Sequence, residues 1–306
     1  MQDLQNWISR YLVDCKYQKG LDPKTLKAYR IDLEQFSVFI TRSSVELSRE
    51  GLMGYITDLH QKYKPRTVKR KIASVKAFCG YLEFEDLVRE NPFSRLRLKL
   101  NPPQILPRTI SLPTIEAILT AAYRARETAG TFGQQKLILR DIAVLELLFA
   151  TGVRVSELCA LQCGDVRLEE GEIKIYGKGA KERFVQIANL DVLNTLCHYR
   201  ETFQDTIEQA GTFFVNRSQR PLSTQSVRGI VNRYSTLANV RNHITPHMFR
   251  HSFATLLLEE GVDIRYIQQL LGHSSIVTTQ IYTHVAGRKQ RDILLEKHPR
   301  NKIHSV

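Results

Sequence analysis

The C-terminal third of the chain contains side chains that could attack and stabilise a phosphodiester. His247 and Arg250 stand three positions apart, His273 follows further along the chain, and Tyr282 comes nine positions after His273. A phenol is a weak nucleophile at neutral pH unless nearby cations lower its pKa. Guanidinium and imidazole groups also stabilise the charge that develops on phosphate oxygens. The set therefore predicts phosphoryl transfer through a tyrosine, although a lone tyrosine is more often a core or interface residue.

His247 and Arg250 are expected in the first turns of a helix. Thr245 is a favourable N-cap and Pro246 suits the first helical position. Residues three apart share a helix face, and the free N–H groups and dipole of a helix N-terminus favour an anion. We interpret the pair as a phosphate site. A capping histidine beside a surface arginine is the alternative that the pair alone leaves open.

Two further cations stand upstream of this helix. Arg154 follows an apolar helical stretch, where a partly desolvated guanidinium can bind phosphate through two donors, and Glu157 could orient it. Lys178 lies between two glycines at the tip of an expected β-hairpin, where neighbouring cations would lower its pKa and help it act as an acid. Taken singly, an ordinary Arg–Glu helix pair and a solvated turn lysine explain these residues at least as well.

A metal ion and a cofactor are not expected. His247 and His251 are four positions apart, but Met248 stands where the His-Glu-x-x-His motif has its glutamate. The cysteines are odd in number and too widely spread for a disulfide framework or a paired zinc motif. They are Cys15, Cys79, Cys159, Cys163 and Cys197. This usage, with neither a signal-peptide pattern nor a membrane-length apolar run, predicts a cytoplasmic protein.

The elements that must position these residues are mainly helical, so the expected fold class is mainly α. We predict an N-terminal helical domain over residues 1–98, a basic proline-rich linker over 99–110, and a mostly helical C-terminal domain over 111–306. Alternating residues predict one β-hairpin, with strands at Glu172–Tyr176 and Glu182–Ile187. The remaining C-terminal segments predict helices, among them Gln134–Thr151, Leu190–Thr202, Thr224–Ala238, Pro246–Glu260, Ile264–Leu271 and Ser275–Tyr282.

Charge favours nucleic acid as a partner. The 306 residues carry a formal net charge of +13, and such a surplus attracts polyanions. A helix beginning at Pro65 combines an apolar stripe with basic side chains that could bind phosphates, although a solvated helix face fits equally well. The expected DNA-contacting residues are Arg66, Lys69, Arg70, Lys71 and Lys76 on this helix and Lys181 and Arg183 on the hairpin.

Four spaced segments together resemble the tyrosine recombinase family, also called the phage-integrase or λ-integrase family, and most closely its Xer type. The matching stretches are Thr151–Leu158, Gly177–Arg183, His247–Thr255 and Leu271–His284. The order of these four segments along the chain makes the resemblance specific. The likeness covers nearly the whole chain, because residues 1–98 resemble the family's SAM-like core-binding domain. The stretch 127–135 is longer than the compact Xer pattern requires, and no role is expected for it.

The resemblance implies a site-specific DNA recombinase that cleaves and rejoins strands. Tyr282 would attack the scissile phosphate, forming a 3′-phosphotyrosyl link and a free 5′-hydroxyl. Arg154 and Arg250 would hold the non-bridging oxygens, and Lys178 would protonate the leaving oxygen.

The resemblance also implies the remaining roles. His247 would act in acid/base transfer, His273 would hydrogen-bond the phosphate, and Glu157 would support the site. Neither ATP nor a metal would be needed, because the phosphotyrosine keeps the bond energy.

The family works as a tetramer on two DNA duplexes and passes through a Holliday junction. The resemblance therefore implies double-stranded DNA as substrate and a homotetramer, or a tetramer shared with a related recombinase, docked through a C-terminal helix at Gly287–Lys297. Two alternatives stay open on the sequence: integration of a transposon or phage, and DNA relaxation like that of type IB topoisomerases. A catalytically inactive DNA-binding protein is disfavoured, since all six expected active-site positions are filled.

Overall fold

The computed structural model describes residues 2–43, 45–94, 96, 98, 108–177 and 182–272. The chain divides into two compact units, residues 1–105 and 106–306. The expected fold class is confirmed, since helices dominate and a small antiparallel sheet lies in the second unit. None of the helices within the described ranges is long and apolar enough to cross a membrane.

The first unit is built from four helices: α1 (Gln2–Tyr17), α2 (Pro23–Ser43), α3 (Arg49–Lys62) and α4 (Pro65–Phe84). The sequence patterns set no bounds for α3, which Ser48 caps by accepting a hydrogen bond from the Gly51 N–H at 3.2 Å. The core combines aliphatic side chains with aromatic rings, and Tyr11 packs on Phe78 with ring centroids 5.4 Å apart.

A buried carboxylate ties α2 to α4. Asp32 is fully buried and accepts hydrogen bonds from Arg70, from the Lys71 Nζ at 3.0 Å and from the Ser74 hydroxyl at 2.9 Å. Lys71 also donates to Gln35 and is itself only 2% exposed. Lys71 therefore differs from the expectation of a phosphate contact: it lies on the apolar side of α4, where it neutralises Asp32.

The solvent side of α4 keeps the other basic residues. Arg66, Lys69 and Lys76 are exposed, and their spacing of three and seven places them along one stripe of the helix. Arg70 is partly exposed but is paired with Asp32. Fewer basic side chains of α4 are therefore available to bind phosphate than the number of lysines and arginines predicts.

The second unit contains seven described helices and a three-stranded sheet. The helices are α5 (Leu112–Glu127), α6 (Phe132–Thr151), α7 (Val155–Ala160), α8 (Leu190–Ala210), α9 (Thr224–Leu237), α10 (Pro246–Glu259) and α11 (Ile264–Leu271). The strands are β1 (Val166–Arg167), β2 (Glu172–Tyr176) and β3 (Glu182–Gln186), antiparallel in the order β1-β2-β3.

Helix α6 is the centre of this unit, and its residues from Leu139 to Leu148 are all buried. Helix α8 continues eight residues past the expected end at Thr202, because Phe203 and Ile207 extend its buried face. The two-residue strand β1 was not expected. The 127–135 stretch comprises the end of α5, a connection over residues 128–131 and the first turn of α6, where the Thr131 hydroxyl accepts from the Gln134 N–H at 3.2 Å.

The register of the sheet decides which side chains face the core. Ile173 pairs with Val185 and Ile175 pairs with Arg183 across the β2–β3 ladder. Ile173, Ile175 and Val185 are buried. Because successive residues of a strand point to opposite faces, Arg183 lies on the same inward face as Val185.

We expect Asp32→Asn to destabilise the first unit by ~3–5 kcal/mol, because Lys71 would keep a buried charge without its carboxylate. Urea unfolding followed by the fluorescence of Trp7, the single tryptophan of the chain, reports on this unit. Asp58→Asn is the matched control, since Asp58 pairs with Lys62 at the surface and such pairs contribute ~0.5 kcal/mol or less. Equal losses in the two variants would contradict the buried-pair argument.

Candidate active site

The site is built around the turn that joins α6 to α7. Gly152 ends α6 with φ at +59°, and a Cβ there would lie 2.6 Å from the ring of Phe253. Only glycine combines this left-handed backbone with so close a neighbour. The turn presents the Gly152 carbonyl to α10 and places Arg154 at the start of α7.

Arg154 and Glu157 hold each other in place. The Arg154 backbone N–H donates to Glu157 Oε2 at 2.8 Å, and the Arg154 Nη1 donates to Glu157 Oε1 at 2.7 Å. The Arg154 side chain remains 36% exposed. Its guanidinium is therefore oriented from one side and open to solvent on another, as a phosphate-binding group requires.

Glu157 is buried between two guanidinium groups. Besides Arg154, it accepts hydrogen bonds from Arg183 Nη1 at 3.1 Å and Nη2 at 2.8 Å. Burial raises the pKa of this carboxyl, but the hydrogen bonds from Arg183 and from the Arg154 backbone outweigh burial and bring the pKa down to about 2. Glu157 is therefore ionised at any physiological pH.

Arg183 is placed differently from the expectation of a DNA backbone contact. Its side chain is 13% exposed, and its fork is occupied by Glu157. The Arg183 Nε also donates to the Leu270 carbonyl at 3.3 Å, at the end of α11. The physical reason is the strand register, which turns Arg183 toward the core.

Arg250 is buried and bound to backbone carbonyls from two directions. Its Nη1 donates to Gly152 O at 2.7 Å, and its Nη2 donates to Leu271 O at 2.6 Å. Its side chain comes from the second turn of α10, which starts at Pro246 as expected, while Thr245 stands at the N-cap position without a side-chain capping hydrogen bond. Arg250 therefore joins the α6–α7 turn to the last residues of α11.

His247 lies among cations, with part of its side chain exposed to solvent. Partial desolvation, followed by the charges of Arg250, Arg228 and Arg154, lowers the pKa of His247 below its ordinary value. Burial, followed by the neighbouring His247 and Arg250, lowers the pKa of His251 to about 4. Both imidazoles are neutral at pH 7, so His247 is able to accept a proton.

The described structure therefore brings together four of the expected catalytic and supporting residues, Arg154, Glu157, His247 and Arg250, and adds Arg183 to them. Four further expected residues, Lys178, Lys181, His273 and Tyr282, and the docking helix at Gly287–Lys297 lie outside the described residues. Sequence reasoning missed Arg228. This exposed residue of α9 acts on His247 only because α9 and α10 are neighbours in the fold, and no local spacing reveals that.

The described residues contain no group of three or more His, Cys, Asp or Glu side chains that could hold a metal ion. What they do contain is a cluster of guanidinium groups near the neutral imidazole of His247. Such a cluster can bind an anion and move a proton.

Comparison with known proteins decides the family. The model of the phage integrase family matches residues 114–289, and the model of its N-terminal SAM-like domain matches residues 8–86. The chain belongs to the phage integrase family. It is a tyrosine recombinase, an enzyme that exchanges DNA strands at specific sites.

Relatives of full length agree with this assignment. A tyrosine recombinase of Agathobacter rectalis is 53% identical over 305 residues, covering 99% of this chain and 100% of the relative. The tyrosine recombinase XerC of Thermodesulfovibrio yellowstonii is 35% identical over 309 residues, covering 99% of each chain. This recombinase is therefore Xer-like, as its motifs suggest.

Solved structures show the same fold at lower identity. The recombinase XerH bound to its palindromic difH substrate, in a post-cleavage complex, matches with a TM-score of 0.74 and 22% identity, over 92% of this chain and 83% of XerH. A λ-integrase tetramer bound to a Holliday junction matches with a TM-score of 0.65 and 19% identity, over 91% and 76% of the two chains.

We expect Glu157→Gln to lower the stability of the recombinase by about 3 kcal/mol at neutral pH, from the depressed pKa of the carboxyl. The folded pKa lies below the unfolded value of ~4.3. This stabilisation is therefore present at neutral pH and lost as the pH falls toward 2.

Urea unfolding of wild type and variant at pH 7, 4 and 3 measures the effect. The difference between the two proteins should shrink as the solution becomes more acidic. Glu169→Gln is the control, because Glu169 is fully exposed and pairs with Arg200 at the surface. If Glu157→Gln lowers the free energy of unfolding by the same amount at all three pH values, the charge of the Glu157 carboxylate is excluded as the cause.

Proposed function

We propose that strand cleavage runs through Tyr282. Its phenol oxygen attacks the scissile phosphorus, the bond from phosphorus to the 5′-oxygen breaks, and a 3′-phosphotyrosyl link and a 5′-hydroxyl result. Lys178 supplies the proton that the 5′-oxygen takes up. The energy of the broken ester is kept in the new one, so rejoining needs no cofactor.

The phosphate is held by Arg154 and Arg250, with His273 as a further hydrogen-bond donor. The observation that carries this proposal is the shared turn at Gly152. Arg250 bonds to its carbonyl, and Arg154 begins the next helix two residues later. Two guanidiniums anchored to one rigid turn form a fixed clamp for non-bridging oxygens.

His247 accepts the phenol proton in this proposal. The lowered pKa of the imidazole keeps it unprotonated at pH 7, which is the state that a base needs. The surrounding cations also favour the phenolate form of any tyrosine that enters the site.

The DNA duplex is held in part by α4 of the first unit, through Arg66, Lys69 and Lys76. Their exposure along one stripe supports this role, and their charge suits the phosphate backbone. We further propose a homotetramer on two duplexes, which the tetrameric λ-integrase neighbour supports.

The test of the nucleophile is a suicide substrate, nicked next to the cleavage site so that a short fragment diffuses away after attack. The site itself is recovered by selecting bound fragments from genomic DNA with Tyr282→Phe. Wild type should accumulate a covalent protein–DNA adduct that resists denaturation, and Tyr282→Phe should form none. Tyr176→Phe, at an exposed strand residue, is the matched control and should behave as wild type.

An adduct that persists in Tyr282→Phe would refute the assignment of the nucleophile. Relaxation of any supercoiled plasmid, without preference for the selected site, would instead favour a topoisomerase-like activity.

The DNA contact of α4 has its own test. Each phosphate contact that is lost should reduce the slope of log affinity against log salt by ~1. We expect this for Lys69→Gln, whereas Lys62→Gln, an exposed lysine of α3, should leave the slope unchanged. Equal slopes in Lys69→Gln and wild type would contradict the proposed contact between α4 and DNA.

A further inference from the structure

We infer that Arg183 is a positioning residue that closes a ring of hydrogen bonds around the active site. This inference rests on the proposed function, because it concerns the same site. The residue acts on cleavage through the groups it holds and makes no contact with DNA itself.

The ring can be followed from residue to residue. Arg154 donates to Glu157, and Arg183 donates to both oxygens of the same carboxylate. The Nε of Arg183 then reaches the Leu270 carbonyl of α11.

The second half of the ring returns to its start. The Leu271 carbonyl accepts from Arg250, and Arg250 also donates to the Gly152 carbonyl, two residues before Arg154. Four elements, α7, β3, α11 and α10, are thus joined through three arginines and one carboxylate.

Arg183 also packs against Gly272, the residue that precedes His273 in the sequence. Gly272 caps α11 with φ at +61°, and a Cβ at that position would lie 2.8 Å from the Cδ and 2.9 Å from the Nη1 of Arg183. The arginine side chain therefore packs directly over the Gly272 backbone. A change at position 183 alters the support of Gly272, which precedes His273 in the sequence.

Arg183 is suited to this task and not to a phosphate contact. Its charge is already balanced by Glu157, and its side chain is only 13% exposed. The planar guanidinium offers donors in a fixed fork, which can reach two carboxylate oxygens and a carbonyl together. A lysine ammonium keeps the charge but not the fork.

The experiment compares Arg183→Lys and Arg183→Met with wild type. It measures the single-turnover rate of adduct formation on the suicide substrate and the DNA affinity over a range of salt concentrations. We expect adduct formation to slow by ~10- to 100-fold, since small misplacements of reacting groups cost that much. Arg183→Lys should retain more activity than Arg183→Met. Affinity and its salt slope should match wild type in both variants.

The matched control is Arg200→Lys, which makes the same change in an exposed pair with Glu169, outside the ring. It should leave the rate and the salt slope unchanged. Combining Arg183→Lys with Glu157→Gln gives a second measure. If Arg183 acts through Glu157, the double variant should be slowed by less than the product of the two single effects.

Three outcomes would overturn the inference. The first is a salt slope reduced by ~1 in Arg183→Lys, which marks a phosphate contact. The second is a cleavage rate equal to wild type in both variants. The third is a double variant slowed by the full product. If wild type forms no adduct, the proposed function itself fails. The three outcomes above contradict only the role of Arg183, so the two failures can be told apart.

Discussion

The site depends on one buried carboxylate. Three arginines and a histidine crowd into a small volume, and without a negative charge among them the cations would repel one another. Glu157 supplies that charge from inside the protein. The cost of burying it is offset by hydrogen bonds from Arg154 and Arg183 to both of its oxygens. The carboxylate thus fixes where the guanidiniums of Arg154 and Arg183 lie.

The first unit uses the same arrangement. Asp32 is also buried and bound by two cations, of which Lys71 is enclosed with it while Arg70 keeps more than a third of its side chain exposed. At Glu157 the enclosed cation is Arg183 and the exposed one is Arg154. A buried carboxylate thus joins α2 to α4 in the first unit and α7 to β3 in the second, and each leaves one guanidinium partly in solvent.

Much of the fold and of the site follows from local patterns. Apolar periodicity locates most helices, the alternation of β2 and β3 locates the hairpin, and motif spacing selects Arg154, His247 and Arg250. Charge alone predicts a DNA contact for Lys71 and Arg183, whereas the structure turns both side chains inward. Lys71 lies on the helix side of Val68 and Ile72, and Arg183 stands two positions before the buried Val185, so the periodicity already indicates the inward face.

Other features could not be obtained from the sequence, because they arise from contacts between distant segments. Arg228 lies close enough to lower the pKa of His247 only because α9 packs beside α10. The bonds of Arg250 to the Gly152 and Leu271 carbonyls likewise join segments that no spacing rule connects. Motifs identify the chemical groups, whereas tertiary packing decides which of them share an environment.

The proposed roles link phosphate binding to proton transfer. The cations that would hold a phosphodiester are among those that lower the pKa of His247. A bound phosphate would bring a negative charge, which would offset their field and make a protonated imidazole less unfavourable. The same cations that keep His247 neutral would therefore oppose its protonation less once a phosphate lies beside them, and the imidazole would become the stronger base that the proposed cleavage step requires.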